Sequence, residues 1–234
     1  MRRVLERALS AALAASLFAA SAPARAADAN AEVLAQINFA RTHPQDYARK
    51  LMLQPVSDWE RGLDGGADPQ ALAEAIAFLE RQTPLPPLRA DDSLTAAALE
   101  HVEAQGPAGE IGHDSADGER FDARLRRHGV EGETSGENIA YGPAQADDVV
   151  RELIIDSGVP NRGHRRNIFY DAFETAGVAC GPHRDYAAMC VMDFAGSPPP
   201  PTLEPLELHT IRVADLGPAP CATRNFLYRL LACR

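Results

Sequence analysis

Hydrophobic positions along this chain recur with two different periods. Between residues 31 and 41, Val33, Leu34, Ile37 and Ala40 fall at helical spacing and predict a helix. Pro44 suits the first turn of a second helical piece, with Tyr47, Leu51 and Met52 on one side. Asp68-Pro69 opens a third helix, Gln70 to Arg81, and the proline-rich run Thr83-Pro84-Leu85-Pro86-Pro87 ends it. Asp91-Asp92-Ser93 caps a fourth, spanning roughly 93–105, whose inner stripe is Leu94, Ala97, Ala98, His101 and Val102. His101 on that stripe reads as a hydrogen-bonded core histidine rather than a ligand. A fifth helix, about 119–128, stops at Gly129. A strand follows at 137–141, then a helix from Ala146 to Ser157, then a short helix beginning at His164. Ala176 to Cys180 and Ala187 to Phe194 switch to period two and predict a hairpin. Residues 53–67 form a glycine-rich loop whose Trp59 reads as a lid on the core. Helices mixed with short strands, and no glycine fingerprint after a strand, predict an α+β fold with a small antiparallel sheet.

At 234 residues the chain holds one domain with a sizeable core plus an appendage. A formal net charge of −10 argues against nucleic acid and against an anionic membrane surface as main partners. The N-terminus reads as a secretory signal peptide, residues 1–26. Arg2, Arg3 and Arg7 precede the apolar run Ala8 to Ala20, which is too short to span a bilayer, and Ala24-Arg25-Ala26 supplies the small residues of a cleavage site. Losing those four arginines and one glutamate would take the charge from −10 to −13. The rest of the chain contains no apolar run of transmembrane length, so the mature protein is expected in the periplasm or outside the cell.

Export changes the meaning of the cysteines. Four of them in an oxidising compartment suggest two disulfides. Cys180 and Cys190 flank the hairpin turn, and Cys221 and Cys233 bracket the last helix-like segment. Sequence permits three connectivities, of which 180–190 with 221–233 is the expected one. The domain proper is assigned to residues 27–196. Four consecutive prolines from Pro198 to Pro201 begin a stiff linker and a C-terminal extension, 197–234. Phe226, Leu227, Leu230 and Leu231 near its end read as a short amphipathic helix that docks back on the domain.

The chemistry concentrates in two stretches, Gly136-Glu137-Asn138-Ile139-Ala140-Tyr141-Gly142 and Arg162-Gly163-His164-Arg165-Arg166-Asn167-Ile168. With His113 and Asp156 they offer two imidazoles and two carboxylates. Such a set can hold a zinc ion (Zn2+) at the histidines, with the acids orienting them. It can act as a general acid and base, with Glu137 and Asp156 as the cleft acids. It can also be a hydrogen-bonded network that only shapes a cleft. Asn138 reads as structural, and Arg165 and Arg166 as partners of local carboxylates. No Gly-x-Ser-x-Gly motif is present, and nothing local marks Ser135 as an activated nucleophile.

Gly136-Glu137-Asn138-Ile139 resembles the Gly-Glu-Asn-Ile signature of the CAP superfamily, which contains cysteine-rich secretory proteins, venom allergens and plant pathogenesis-related proteins. Gly163-His164-Arg165-Arg166-Asn167-Ile168 resembles the form of its bacterial branch. Collinear with these, Ile37-Asn38-x-x-Arg41-x-x-Pro44 resembles the opening helix, and His113 with Gly118 and Arg124 resembles the histidine segment. The resemblance covers residues 30–196. It implies a three-layer α–β–α sandwich (CAP/SCP-like) and a His-Glu-Glu-His cleft. His113, Glu137 and His164 match three of those positions. The fourth carries Asp156, one methylene shorter, and Leu153 replaces the usual tryptophan. The resemblance implies a ligand-binding or envelope-associated protein taking a small lipid-like molecule. A metal-assisted hydrolase, with His113 and His164 holding the ion and Glu137 acting on water, is the alternative, and a structural interaction module is a third. The stretch 53–80 and the C-terminal tail exceed the compact family pattern.

Overall fold

The computed structural model describes residues 22–54, 68–115, 117–130 and 134–196. Trp59, the loop around it, Cys221, Cys233 and the C-terminal extension lie outside the described residues. So do residues 1–21 of the expected signal peptide, and the first helix already starts at Ala22, ahead of the expected cleavage point.

In chain order the elements are α1 (Ala22–Thr42), α2 (Pro44–Leu53), α3 (Pro69–Arg81), β1 (Arg89–Ala90) and α4 (Asp92–Ala108). Then come α5 (Phe121–Arg127), β2 (Thr134–Tyr141), α6 (Ala146–Ile155), α7 (Gly163–Ile168), β3 (Thr175–His183) and β4 (Ala187–Gly196). The capping chemistry accounts for two of the starts. The Asp68 carboxylate accepts the Gln70 N–H at 2.9 Å, ahead of Pro69 at the first helical position. The Asp91 carboxylate accepts the Leu94 N–H at 2.9 Å.

The sheet order is β1-β3-β4-β2. β3 pairs antiparallel with β4, and β4 with β2, as the alternation predicts. The two-residue edge strand β1 runs parallel to β3, so the sheet is mixed rather than wholly antiparallel. Two residues carry no readable period, which is why the pattern misses them.

The pleat sorts side chains between two faces. Ala140, Cys190 and Cys180 share one face in register, as do Asn138, Met192 and Val178. That face packs on α1, α2, α3, α6 and α7 through Ile37, Leu51, Leu79, Val150, Ile154 and Ile168, all essentially sealed from solvent. The opposite face carries Ile139, Val191 and Ala179 in register, then Glu137, Asp193 and Gly177. It packs on α4 and α5 through Ala98, Val102, Leu94, Ala97 and Leu125. These are the three layers of the sandwich. Gly177 lets α4 lie directly on β3, since a Cβ there would fall 2.1 Å from the Thr95 nitrogen.

Cys180 and Cys190 are direct cross-strand partners and form a disulfide with Cα atoms 4.1 Å apart. Asn38 on α1 holds the extended segment before β1, its Oδ1 accepting the Leu88 N–H at 2.7 Å and its Nδ2 donating to the Leu88 carbonyl at 2.9 Å. Asn38→Ala leaves both the N–H and the carbonyl of Leu88 without their partner. It is expected to lower stability by about 2 kcal/mol in urea unfolding.

Arg41, 1% exposed, reaches under the segment that follows α7. Its guanidinium donates to the carbonyls of Ile168 (2.7 Å), Tyr170 (3.0 Å) and Phe173 (3.3 Å) and, on the other side, of Pro86 (3.1 Å). Burial lowers its pKa to about 10, which leaves it cationic at neutral pH. A planar cationic donor with five N–H groups suits a site where several carbonyls converge.

Candidate functional site

Glu137 sits on β2, facing the α4–α5 layer, with its side chain 1% exposed. A carboxylate so buried needs partners. Oε2 forms an ion pair with Arg124 of α5, whose side chain is fully buried. Oε1 accepts from Nδ1 of His113 at 2.7 Å. Arg124 also donates to the His113 carbonyl at 3.2 Å and to Nδ1 of His101 at 2.9 Å. His101 Nε2 donates to the Gly112 carbonyl at 2.9 Å. These two bonds assign His101 as a neutral imidazole protonated at Nε2, and burial lowers its pKa. His101 is thus a core histidine, as its stripe position suggested. His113 is different, with a half-exposed side chain whose pKa rises because Glu137 accepts its Nδ1–H.

The second half of the site is built at the end of α6. That helix stops at Ile155, and Asp156 turns into the left-handed region at φ 57°. Asp156 therefore does not lie on the helix, which had been expected to run on to Ser157. The turn aims its carboxylate at the start of α7. Oδ2 accepts the backbone N–H groups of His164 (2.9 Å) and Arg165 (3.3 Å), and Oδ1 accepts Nδ1 of His164 at 2.7 Å. The short side chain reaches because the backbone brings it there. Arg162 fastens the same turn, donating to the Asp156 carbonyl at 2.7 Å and pairing with Glu74 of α3 at 2.6 Å.

Asparagines join the halves. Asn138 Nδ2 donates to the His164 carbonyl at 3.0 Å, and its Oδ1 accepts from Asn167 at 2.9 Å. Asn167 also donates to the Glu137 carbonyl at 3.2 Å. The two motifs are thereby held side by side across β2 and α7.

His113 and His164 both line one cleft of about 730 Å³. Glu137 lies in its floor, and Asp156 sits behind His164. One wall is aromatic: Phe78 from α3 meets Phe169 edge-on at 5.1 Å, and Tyr170 meets Phe173 edge-on at 5.0 Å. Gly136 is required for that wall, because a Cβ there would fall 2.7 Å from the Phe173 ring. In both histidines Nδ1 is engaged by a carboxylate, while Nε2 has no partner among the described residues. This is the tautomer that leaves a lone pair at Nε2 when the ring is neutral. Among the described residues no group of three or more His, Cys, Asp or Glu side chains forms a closed metal cage. The residues that could hold a divalent ion here are His113 and His164, through Nε2.

A family model described as "Cysteine-rich secretory protein family" (CAP) matches residues 24–194. This chain belongs to the CAP family. Solved structures similar to this CAP chain include an extracellular SCP-domain protein from Bacillus anthracis, 23% identical, covering 54% of this chain and 39% of that one at a TM-score of 0.42. Another is an outer surface protein from Borrelia burgdorferi, 20% identical, covering 48% of this chain and 79% of that one at a TM-score of 0.41. The chain therefore spans less than half of the Bacillus protein. No curated protein matches.

The CAP motifs bring together the four residues they suggested, as two pairs: His113 with Glu137, and His164 with Asp156. Sequence reasoning missed the parts that hold them. Arg124 entered only through the resemblance of the histidine segment, and no role beside Glu137 was read for it. Arg165, expected to pair with a carboxylate, instead donates to the carbonyls of Ile154 (2.5 Å) and Ile155 (2.8 Å) at the end of α6. Arg166 is exposed on the cleft and has no ion pair among the described residues. Phe78 came from the stretch that exceeds the compact CAP pattern, so no motif pointed to it.

Proposed function

We propose that this CAP protein is an exported binding protein whose cleft takes a small lipid-like or envelope-derived molecule. The observation that supports this most directly is the commitment of both acids. Glu137 uses one oxygen on His113 and the other on Arg124. Asp156 uses both oxygens on His164 and the start of α7. Neither is a free base for activating water, whereas two imidazole edges and an aromatic wall face the cleft. The apolar part of a ligand would lie on Phe78, Phe169, Tyr170 and Phe173, with its polar group at the imidazoles and Arg166. A divalent ion at His113 and His164 would supply Lewis-acid attraction for that polar group. Export fits the basic, apolar start of the chain. No helix among the described residues is long and apolar enough to cross a membrane.

Calorimetric titration of the full chain with zinc alone, and separately with a long-chain fatty acid, tests the reading. One-site zinc binding is expected to fall at least about tenfold in both His113→Ala and His164→Ala. Fatty-acid uptake is expected to weaken about tenfold in Phe78→Ala, which removes one ring of the wall. Zinc binding indifferent to both histidine changes rules out the ion site, and metal-dependent hydrolytic turnover that is lost in Glu137→Gln rules against binding as the sole role.

A further inference from the structure

Asp193 on β4 is a carboxylic acid buried without a partner. It is 0% exposed, and neither carboxyl oxygen accepts a hydrogen bond from any donor among the described residues. Its cross-strand neighbour on one side is Glu137 and on the other is Gly177, so its side chain shares the sheet face and the level of Glu137. The charged or titratable groups facing it are Glu137 from β2 and Arg124 from α5, with the neutral His101 of α4 beyond Arg124. Arg124 spends its terminal nitrogens on Glu137, His101 and His113, and its Nε makes no hydrogen bond. One guanidinium thus stands against two adjacent buried carboxyl groups. Two like charges side by side in a dry site do not both persist.

We propose that Asp193 is a neutral carboxylic acid whose O–H donates to the Glu137 carboxylate, making it a positioning residue for the Glu137–His113 pair. The bond gives Glu137 a third donor beside Arg124 and His113. It fixes the plane of the carboxylate and hence the direction in which Oε1 addresses His113. It also satisfies the only hydrogen that Asp193 has to place. Burial first, and the nearby Glu137 charge second, hold the Asp193 proton well above the usual carboxylate range. Buried acids kept neutral so that they can donate are a recognised use of apolar surroundings. The proposal stands whether the cleft binds a lipid-like ligand, a metal ion or neither.

The sign of the pH effect decides it. A raised pKa means that the folded chain keeps a proton which the unfolded chain releases near pH 4. The stabilisation is complete below that pH and is lost progressively as pH rises towards the folded value. Asp193→Asn also donates, from an amide, and has no proton to lose. The melting temperature of Asp193→Asn minus that of the wild type is therefore expected to climb by about 3 °C per pH unit between pH 5 and 7. A difference that stays flat over this range overturns the proposal, whatever fixed offset the amide brings. A measurement on the unaltered full chain needs no variant. The 13C carboxyl resonance of Asp193 at pH 7 is expected at the protonated position, and an ionised position overturns the proposal. For the positioning role, the downfield Nδ1–H resonance of His113 is expected to be retained in Asp193→Asn and shifted in Asp193→Leu. An unshifted resonance in Asp193→Leu, with that variant folded, removes the positioning role.

Discussion

Replacing Arg124 by methionine is expected to cost about 3–5 kcal/mol of folding stability, read as a drop in the urea midpoint at unchanged slope. Methionine fills much of the same volume, so packing loss is not the main term. What remains is the Glu137 carboxylate, 1% exposed, whose last charge-bearing partner is the half-exposed His113. His101 loses its donor at Nδ1, and the His113 carbonyl loses one as well. A buried charge stripped of its counter-ion is among the costliest single changes a core can suffer. Arg124→Lys keeps the charge but cannot reach Glu137, His101 and the His113 carbonyl together, and should fall between the two. The double change Arg124→Met with Glu137→Gln is expected to cost less than the sum of the single changes, because it removes the orphaned charge. A loss below about 1 kcal/mol for Arg124→Met would mean that the pair is solvated in solution.

The sequence displayed the frame of this arrangement better than its joinery. Period-two alternation at 176–180 and 187–194 gave the hairpin, and with it the cross-strand Cys180–Cys190 bridge. Helical stripes gave α1, α2 and α4, because Ile37, Leu51 and Leu94 are core residues at helical spacing, and the Asp68-Pro69 start and the proline-rich stop gave α3. The Gly-Glu-Asn-Ile and Gly-His-Arg-Arg-Asn-Ile segments gave Glu137 and His164 through family resemblance, and the histidine segment before them gave His113. What local pattern cannot display is which charge ends up inside. Arg41, Arg124 and Arg165 are 1%, 0% and 5% exposed, yet each sits among residues that read as helix surface. Their partners are backbone carbonyls or a carboxylate brought in by the sheet, and such partners leave no periodicity. Asp193 was hidden for the opposite reason. It interrupts an apolar run, where a single acid reads as a strand end rather than as the neighbour of Glu137. β1 escaped because two residues pair with β3 only after the long excursion through α4 to α7.

Asp156 is the position where one change should dismantle half of the site. Asp156→Ala removes the acceptor of two backbone N–H groups at the start of α7 and of the His164 ring. It also places a residue that dislikes positive φ at φ 57°, a conformation aspartate tolerates better than alanine. Loss of a helix cap costs about 1 kcal/mol, and the left-handed backbone adds about 1 more for alanine. With the buried partner of His164 gone as well, the expected total is about 3 kcal/mol in urea unfolding. Asp156→Asn separates these contributions. Asparagine accepts the left-handed backbone and keeps one oxygen for the helix start, so it should cost about 1 kcal/mol. It cannot hold the His164 ring as a carboxylate does. Zinc affinity in Asp156→Asn is therefore expected to drop about tenfold with stability largely kept. Asp156→Glu tests reach. Its extra methylene pushes the carboxylate past the N–H groups of His164 and Arg165, and the side chain cannot serve both the helix start and the imidazole from the same turn. A glutamate variant as stable as the wild type would show that the turn at φ 57° relaxes, and that the aspartate is not what sets the position of His164.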